Sequence, residues 1–335
     1  LIGAEYNYEE MAVKYSETNV AQQLGNYRQA MEFLAHCTLP KTEQNDKIVD
    51  KLKDLIYSYP NVDMSSFINK HHAITYSWLI EKLNADGYIV IAKDHRGHGK
   101  NILKGMTPGL FADKDGWTKV SDDLRNTINF AVEKHPNLDC FLLGHSMGSW
   151  IALSLLDRKL NINGLIITGS SKLSRLLIYI QLMLIKFEIF FKGSMKTSVL
   201  IDNLTLRKFN NEYKPTKTPN DWISSDPNSV NDYTNDPLCG FMVTNSLWND
   251  LCKGLIKIFH KNFYSSFNVN IPILIISGKN DAANSNGVLA NKLHVFLSTI
   301  FNNVSIKLIS DARHEVFTEI NKESTYKLFL SFIRK

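Results

Sequence analysis

The segment Leu142-Leu143-Gly144-His145-Ser146-Met147-Gly148-Ser149-Trp150 constrains the fold of this chain more than any other. A short apolar run leads into glycine, serine and glycine at alternate positions, and helix-compatible residues follow at once. Two glycines at that spacing let the backbone turn from strand to helix within a few residues and lift the serine hydroxyl above the sheet edge. The turn also aims the next backbone N–H, that of Met147, at charge developing in front of the serine. Ser146 is therefore the candidate nucleophile, and the strand before it commits the chain to a sheet with helical neighbours.

The rest of the sequence supplies those neighbours. Residues 88–92, 140–143, 164–168, 271–277 and 304–309 are short apolar runs, as strands buried on both faces require. Helical periodicity falls before, between and after them at 78–83, 120–132, 151–156, 289–297 and 323–333. The pattern predicts an α/β fold with a doubly wound, mostly parallel sheet. Residues 61–170 and 241–335 form its core in this reading. Residues 1–60 read as a helical N-terminal extension, with apolar positions at Met11, Leu24, Leu52 and Ile56 and stops at Pro40 and Pro60. Residues 171–240 break the rhythm as a cap insertion. Within it, 173–191 is nearly long and apolar enough to span a bilayer, but Arg175, Lys186 and Glu188 interrupt it, which predicts an amphipathic cap helix instead.

Composition narrows the function classes. An apolar content of 44% over 335 residues excludes a disordered or fibrous chain. The net charge of +5 is made by scattered lysines without an arginine cluster, so no nucleic-acid partner is expected. Four cysteines without a C-x-x-C pair point to a reducing compartment, and residues 1–10 lack the basic start and apolar run of a signal peptide. A cytoplasmic protein is the expectation, with peripheral membrane contact through the cap left open and the oligomeric state unread.

A serine nucleophile needs a base to take its proton and an acid to orient that base. Gly278-Lys279-Asn280-Asp281 follows the run 271–277, which puts a carboxylate at the carboxyl end of a strand, where α/β sites form. Asp281 is the candidate acid. Asp311-Ala312-Arg313-His314-Glu315 follows the next strand, making His314 the candidate base, with Asp311 and Glu315 as weaker acid candidates. His95 and His98, like His71 and His72, lack the carboxylate and third ligand of a metal site, so neither metal nor cofactor is expected.

Together the motifs carry a resemblance. Lys93-Asp94-His95-Arg96-Gly97-His98-Gly99, Gly144-His145-Ser146-Met147-Gly148, Ser277-Gly278-Lys279-Asn280-Asp281 and Ala312-Arg313-His314-Glu315 resemble the α/β-hydrolase family of lysophospholipases and monoacylglycerol lipases. Asn220-Asp221-Trp222-Ile223-Ser224 and Asp236-Pro237-Leu238-Cys239-Gly240-Phe241 are similar to bacterial members of that group. The resemblance runs from about Tyr76 to the C-terminus. It implies Ser146 as nucleophile, Asp281 as acid, His314 as base and the Met147 N–H as one oxyanion donor, acting on acyl esters of glycerol or glycerophospholipid. A cap over the acyl chain would place Leu176, Ile180, Leu184 and Trp222 against substrate.

One part of the family pattern is altered. Members carry His-Gly-x-x-x-His before the helix at 78–83, and its backbone supplies the second oxyanion donor; here the stretch is Phe67-Ile68-Asn69-Lys70-His71-His72. The second donor is expected near Phe67 or Ile68. Because losing one such donor costs about a hundredfold to a thousandfold in turnover, three readings stand. They are an esterase for lysophospholipid or monoacylglycerol, a hydrolase scaffold with a binding or regulatory role, and an esterase for small non-lipid esters.

Overall fold

The computed structural model describes residues 76–334. The helices expected over 1–60, the second donor expected near Phe67 or Ile68, and His71 and His72 lie outside them. Among the described residues four strands, β1 (Phe141–His145), β2 (Gly164–Thr168), β3 (Pro272–Gly278) and β4 (Asn303–Ile309), form one parallel sheet in the order β1-β2-β3-β4. Leu143 pairs with Ile166, Ile166 with Leu274, and Ile275 with Ile306.

Strand side chains alternate between two apolar layers, as the pleat demands. Leu165, Ile167, Ile273 and Ile275 enter the larger core, with Ile151 and Leu155 after the elbow. Ile166, Leu274 and Ile276 enter a smaller core with Leu79, Phe317 and Phe329. The larger layer is covered by α3 (Gly116–Lys134), α4 (Met147–Ser154), α9 (Asn245–Ile258) and α10 (Val288–Ser298), the smaller by α1 (Ser77–Ala85) and α11 (Lys322–Ile333). Helices on both faces explain why β2 is buried at every position and reads as Gly-Leu-Ile-Ile-Thr.

The run 88–92, expected as a strand, pairs with none of β1–β4. Tyr88 and Val90 pack against the smaller core instead. A short helix, α2 (Lys100–Leu103), follows the glycine-rich loop after this run.

Between β2 and α9 come α5 (Arg175–Lys192), α6 (Val199–Leu204), α7 (Leu206–Asn210) and α8 (Pro227–Asn235). Hydroxyl and carboxylate caps start three of them: Ser174 accepts from the Leu177 N–H at 3.2 Å, Ser198 from Ile201 at 3.2 Å, and Asp226 from Asn228 at 3.1 Å. Ile178, Leu182 and Ile185 of α5 are buried. The opposite side of α5 is apolar as well: Leu176, Met183, Phe187 and Phe190 are all at least 60% exposed. Leu176, Ile180 and Leu184, expected against substrate, stand on that exposed side. A helix apolar on both sides gives periodicity no way to choose its inward face. No described helix is long and apolar enough to cross a membrane.

Candidate active site

The elbow forms where β1 meets α4. The Ser146 N–H donates to Thr168 O at 2.9 Å, extending the β1–β2 ladder by one residue, and the chain then turns with Ser146 at φ 48°, ψ −121°. That conformation costs a non-glycine residue about 1–3 kcal/mol and marks the serine as held up by its surroundings. Gly144 is required by packing: a Cβ there would stand 2.8 Å from Gly148 O and 2.8 Å from Ser149 Cα. Ser149 is fully buried, and its hydroxyl lies within hydrogen-bond reach of both Ser146 O and, at 2.6 Å, Ser170 Oγ, bracing the turn from below. Met147 opens α4, where first-turn N–H groups have no partner within the helix.

Asp281 and His314 are brought together from loops after β3 and β4. Asp281 Oδ2 lies 2.9 Å from His314 Nδ1, and both side chains are buried. Asp281 is held by more than the histidine. The Ala283 N–H donates to its Oδ1 at 2.9 Å and Asn284 Nδ2 to its Oδ2 at 2.9 Å, which suits a buried carboxylate. Burial works to lower the pKa of His314, but the charges and hydrogen bond of Asp281 and the charge of Glu315 outweigh it, and the net shift is upward. The backbone around the pair is close-fitting, since a Cβ on Gly278 would meet Arg313 O at 2.1 Å and Ala312 O at 2.2 Å.

The cap reaches the histidine through Trp222, whose buried ring lies 4.8 Å from that of His314 and 5.4 Å from Phe209. Asn210 Oδ1 accepts from the Trp222 N–H at 3.0 Å and fixes its backbone. Of the four cap residues read from the sequence, Trp222 alone is set beside His314 by these contacts. The two acid alternatives separate as well. Asp311 is exposed at a left-handed turn with φ 61°, while Glu315 is buried and directed to His145 and Tyr76.

Sequence reasoning missed several neighbours. Arg313 donates to the carbonyls of Asp221 and, at 3.0 Å, Ser224, and its guanidinium lies 4.1 Å from the Tyr213 ring centroid. Glu319 accepts from the Arg313 N–H at 2.6 Å and the Ser225 N–H at 2.9 Å. The only available signal was their closeness in sequence to His314 and Trp222. His95 Nε2 would lie 3.6 Å from a Cβ on Gly148, so this ring stands near the elbow; burial first, then the charges of His98 and Lys93, lower its pKa to about 4 and keep it neutral. His98 Nδ1 is 2.9 Å from Arg96 O. Arg96 itself forks onto Asp123 at 2.6 and 3.0 Å, so this loop is built by its own contacts.

A parallel sheet covered on both faces, a serine on a strand-to-helix turn, and a buried Asp–His pair on the loops after the last two strands define an α/β hydrolase of the serine type. The family model described as serine aminopeptidase, S33, matches residues 69–321, and the chain belongs to that family. It is 24% identical over 254 residues to a monoacylglycerol lipase of Mycolicibacterium smegmatis, covering 74% of this chain and 79% of that protein. Among solved structures it is similar to a thermostable carboxyl esterase from Bacillus coagulans in complex with glycerol, with a TM-score of 0.70 and 28% identity over 79% of this chain and 86% of that one. The fold is shared with a monoglyceride lipase from Saccharomyces cerevisiae in complex with a substrate analogue, at a TM-score of 0.59 and 19% identity over 77% and 81% of the two chains.

Proposed function

We propose that the protein hydrolyses carboxylic esters of monoacylglycerol or lysophospholipid through a Ser146–His314–Asp281 triad. The observation that carries this reading is the buried 2.9 Å contact between Asp281 Oδ2 and His314 Nδ1, which leaves Nε2 as the nitrogen free to serve the serine. His314 Nε2 takes the Ser146 hydroxyl proton as Oγ attacks the ester carbonyl. Asp281 stabilises the resulting imidazolium, and the Met147 N–H receives the developing oxyanion. The imidazolium returns its proton to the departing glycerol-type alcohol, leaving an acyl ester on Ser146. Water, deprotonated by His314, then releases the fatty acid and restores the serine.

An acyl-glycerol substrate class is supported by the named activity of the M. smegmatis relative and by the apolar cap. The outward side of α5, with Met183, Phe187 and Phe190 exposed and Arg175, Lys186 and Lys192 among its charges, suits shallow insertion at a lipid surface. Comparing p-nitrophenyl esters of increasing chain length with glycerol release from a long-chain monoacylglycerol tests the substrate class. Turnover of the long-chain monoacylglycerol is expected; efficient cleavage of acetate and butyrate esters with none of the monoacylglycerol would contradict it.

A further inference from the structure

We infer that Glu315 is a positioning residue for His314 in the reaction proposed above, acting with His145 and Tyr76 as a second carboxylate-centred group beside the Asp281 pair. The inference rests on that reaction for its consequence and on separate geometry for its substance. Glu315 follows the candidate base directly, yet its side chain is turned inward and buried, and its N–H is anchored to Ile223 O of the cap at 2.8 Å. Its Oε2 accepts from the Tyr76 hydroxyl at 2.8 Å. Its Oε1 stands 2.9 Å from His145 Nε2.

His145 is fixed from its other side too, because Nδ1 lies 2.9 Å from Thr168 Oγ1. Held between β2 and the loop after β4, the His145 ring meets that of His314 edge-on, with centroids 4.8 Å apart and planes at 67°. Gly169 completes the arrangement: a Cβ there would stand 2.6 Å from His145 Cε1 and 3.1 Å from His314 Cε1. Both rings therefore pack on one glycine.

Burying a carboxylate is costly unless partners compensate it. Burial works to raise the pKa of Glu315, but His145, His314 and the Tyr76 hydroxyl outweigh it and keep the carboxyl below its usual range. Asp281, in contact with its Nδ1, and the charge of Glu315 both act to raise the pKa of His314. Among the described residues His145 and Tyr76 touch Glu315, and its charge also acts on Tyr233 and Cys239. Burial raises the Tyr233 pKa and pushes Cys239 up to about 12, so neither supplies a charge. Glu315 thus adds to the stabilisation of the imidazolium that forms as Ser146 attacks, and it steadies the ring wall against which His314 sits.

The test combines Glu315→Gln with Tyr76→Phe in the full chain and uses two readouts. These are the imidazole titration of His314 by NMR, which needs no turnover, and the acid limb of kcat/KM on a p-nitrophenyl ester. Glu315→Gln removes the charge at nearly constant shape, and both readouts are expected to move to lower pH by about one unit, with kcat falling about tenfold and KM little changed. Tyr76→Phe keeps the charge and is expected to leave the limb near its wild-type position. An unmoved titration in folded Glu315→Gln, or an equal shift in Tyr76→Phe, overturns the inference. Should Glu315→Gln not fold, Glu315→Asp draws the charge back from His145 and is expected to shift both readouts the same way by less; no shift there overturns it equally. A moved titration in a protein without ester turnover would contradict the hydrolase reading instead, and normal turnover with an unmoved titration would contradict only the role of Glu315.

Discussion

Arg313 donates from its guanidinium to the backbone carbonyl of Ser224 at 3.0 Å, so the residue immediately before His314 holds the cap segment that carries Trp222. The same side chain takes the Asp221 carbonyl and packs on Tyr213. Cap and candidate base are thereby one mechanical unit. Arg313→Met is expected to leave two carbonyls without their donor and to lower stability by about 2 kcal/mol, read by denaturant unfolding. It should also lower kcat, because Trp222 and His314 lose their common anchor.

Asp281→Asn tests the acid. An amide in place of the carboxylate removes the charge opposite the imidazolium and donates toward His314 Nδ1, favouring the wrong tautomer. By analogy with other triads, kcat is expected to fall about 10⁴-fold with little change in KM, measured by steady-state kinetics on a p-nitrophenyl ester.

The pH dependence follows from the direction of the His314 shift. Burial works to lower the pKa of His314, but Asp281 and Glu315 outweigh it and leave it above the ordinary 6.5. A base must be neutral to accept a proton, so activity should fall as pH drops through a value above 6.5. The stability contribution has the opposite sense: the raised value stabilises the fold at low pH, and that contribution fades as pH rises through the folded pKa. A pH profile of kcat/KM with a flat acid limb down to pH about 5 would not fit.

Gly169→Ala tests how closely the two histidine rings share their support. The new Cβ would fall 2.6 Å from His145 Cε1, at a backbone φ of 55° that itself disfavours a side chain. A stability loss of about 1–3 kcal/mol and a fall in kcat larger than any change in KM are expected, from unfolding curves and kinetics on the same preparation.

The outward side of α5 tests the membrane contact. Phe187 and Phe190 are 60% and 81% exposed, and neither belongs to the core. Phe187→Glu with Phe190→Glu is expected to reduce binding to phospholipid vesicles at least tenfold by co-sedimentation, in keeping with about 1.5–3 kcal/mol per aromatic side chain withdrawn from an apolar phase.

Much of the site was legible because each part is local. Ser146, Asp281 and His314 each sit just after a short apolar run, and the observed strands Phe141–His145, Pro272–Gly278 and Asn303–Ile309 are those runs to within two residues at either end. What was not legible depends on distant partners. Glu315 binds Tyr76 across 239 positions of sequence, and no spacing rule connects them. The inward face of α5 is set by contact with α9, because Leu176, Ile180 and Leu184 are as apolar as Ile178, Leu182 and Ile185.

The central claim, that Ser146 is an activated nucleophile, is tested most directly by a fluorophosphonate probe on the wild-type chain and on Ser146→Ala. The account predicts covalent labelling of the wild type, slowed in Asp281→Asn and abolished in Ser146→Ala. Labelling that persists in folded Ser146→Ala, or a folded wild-type chain that takes no label, would contradict it.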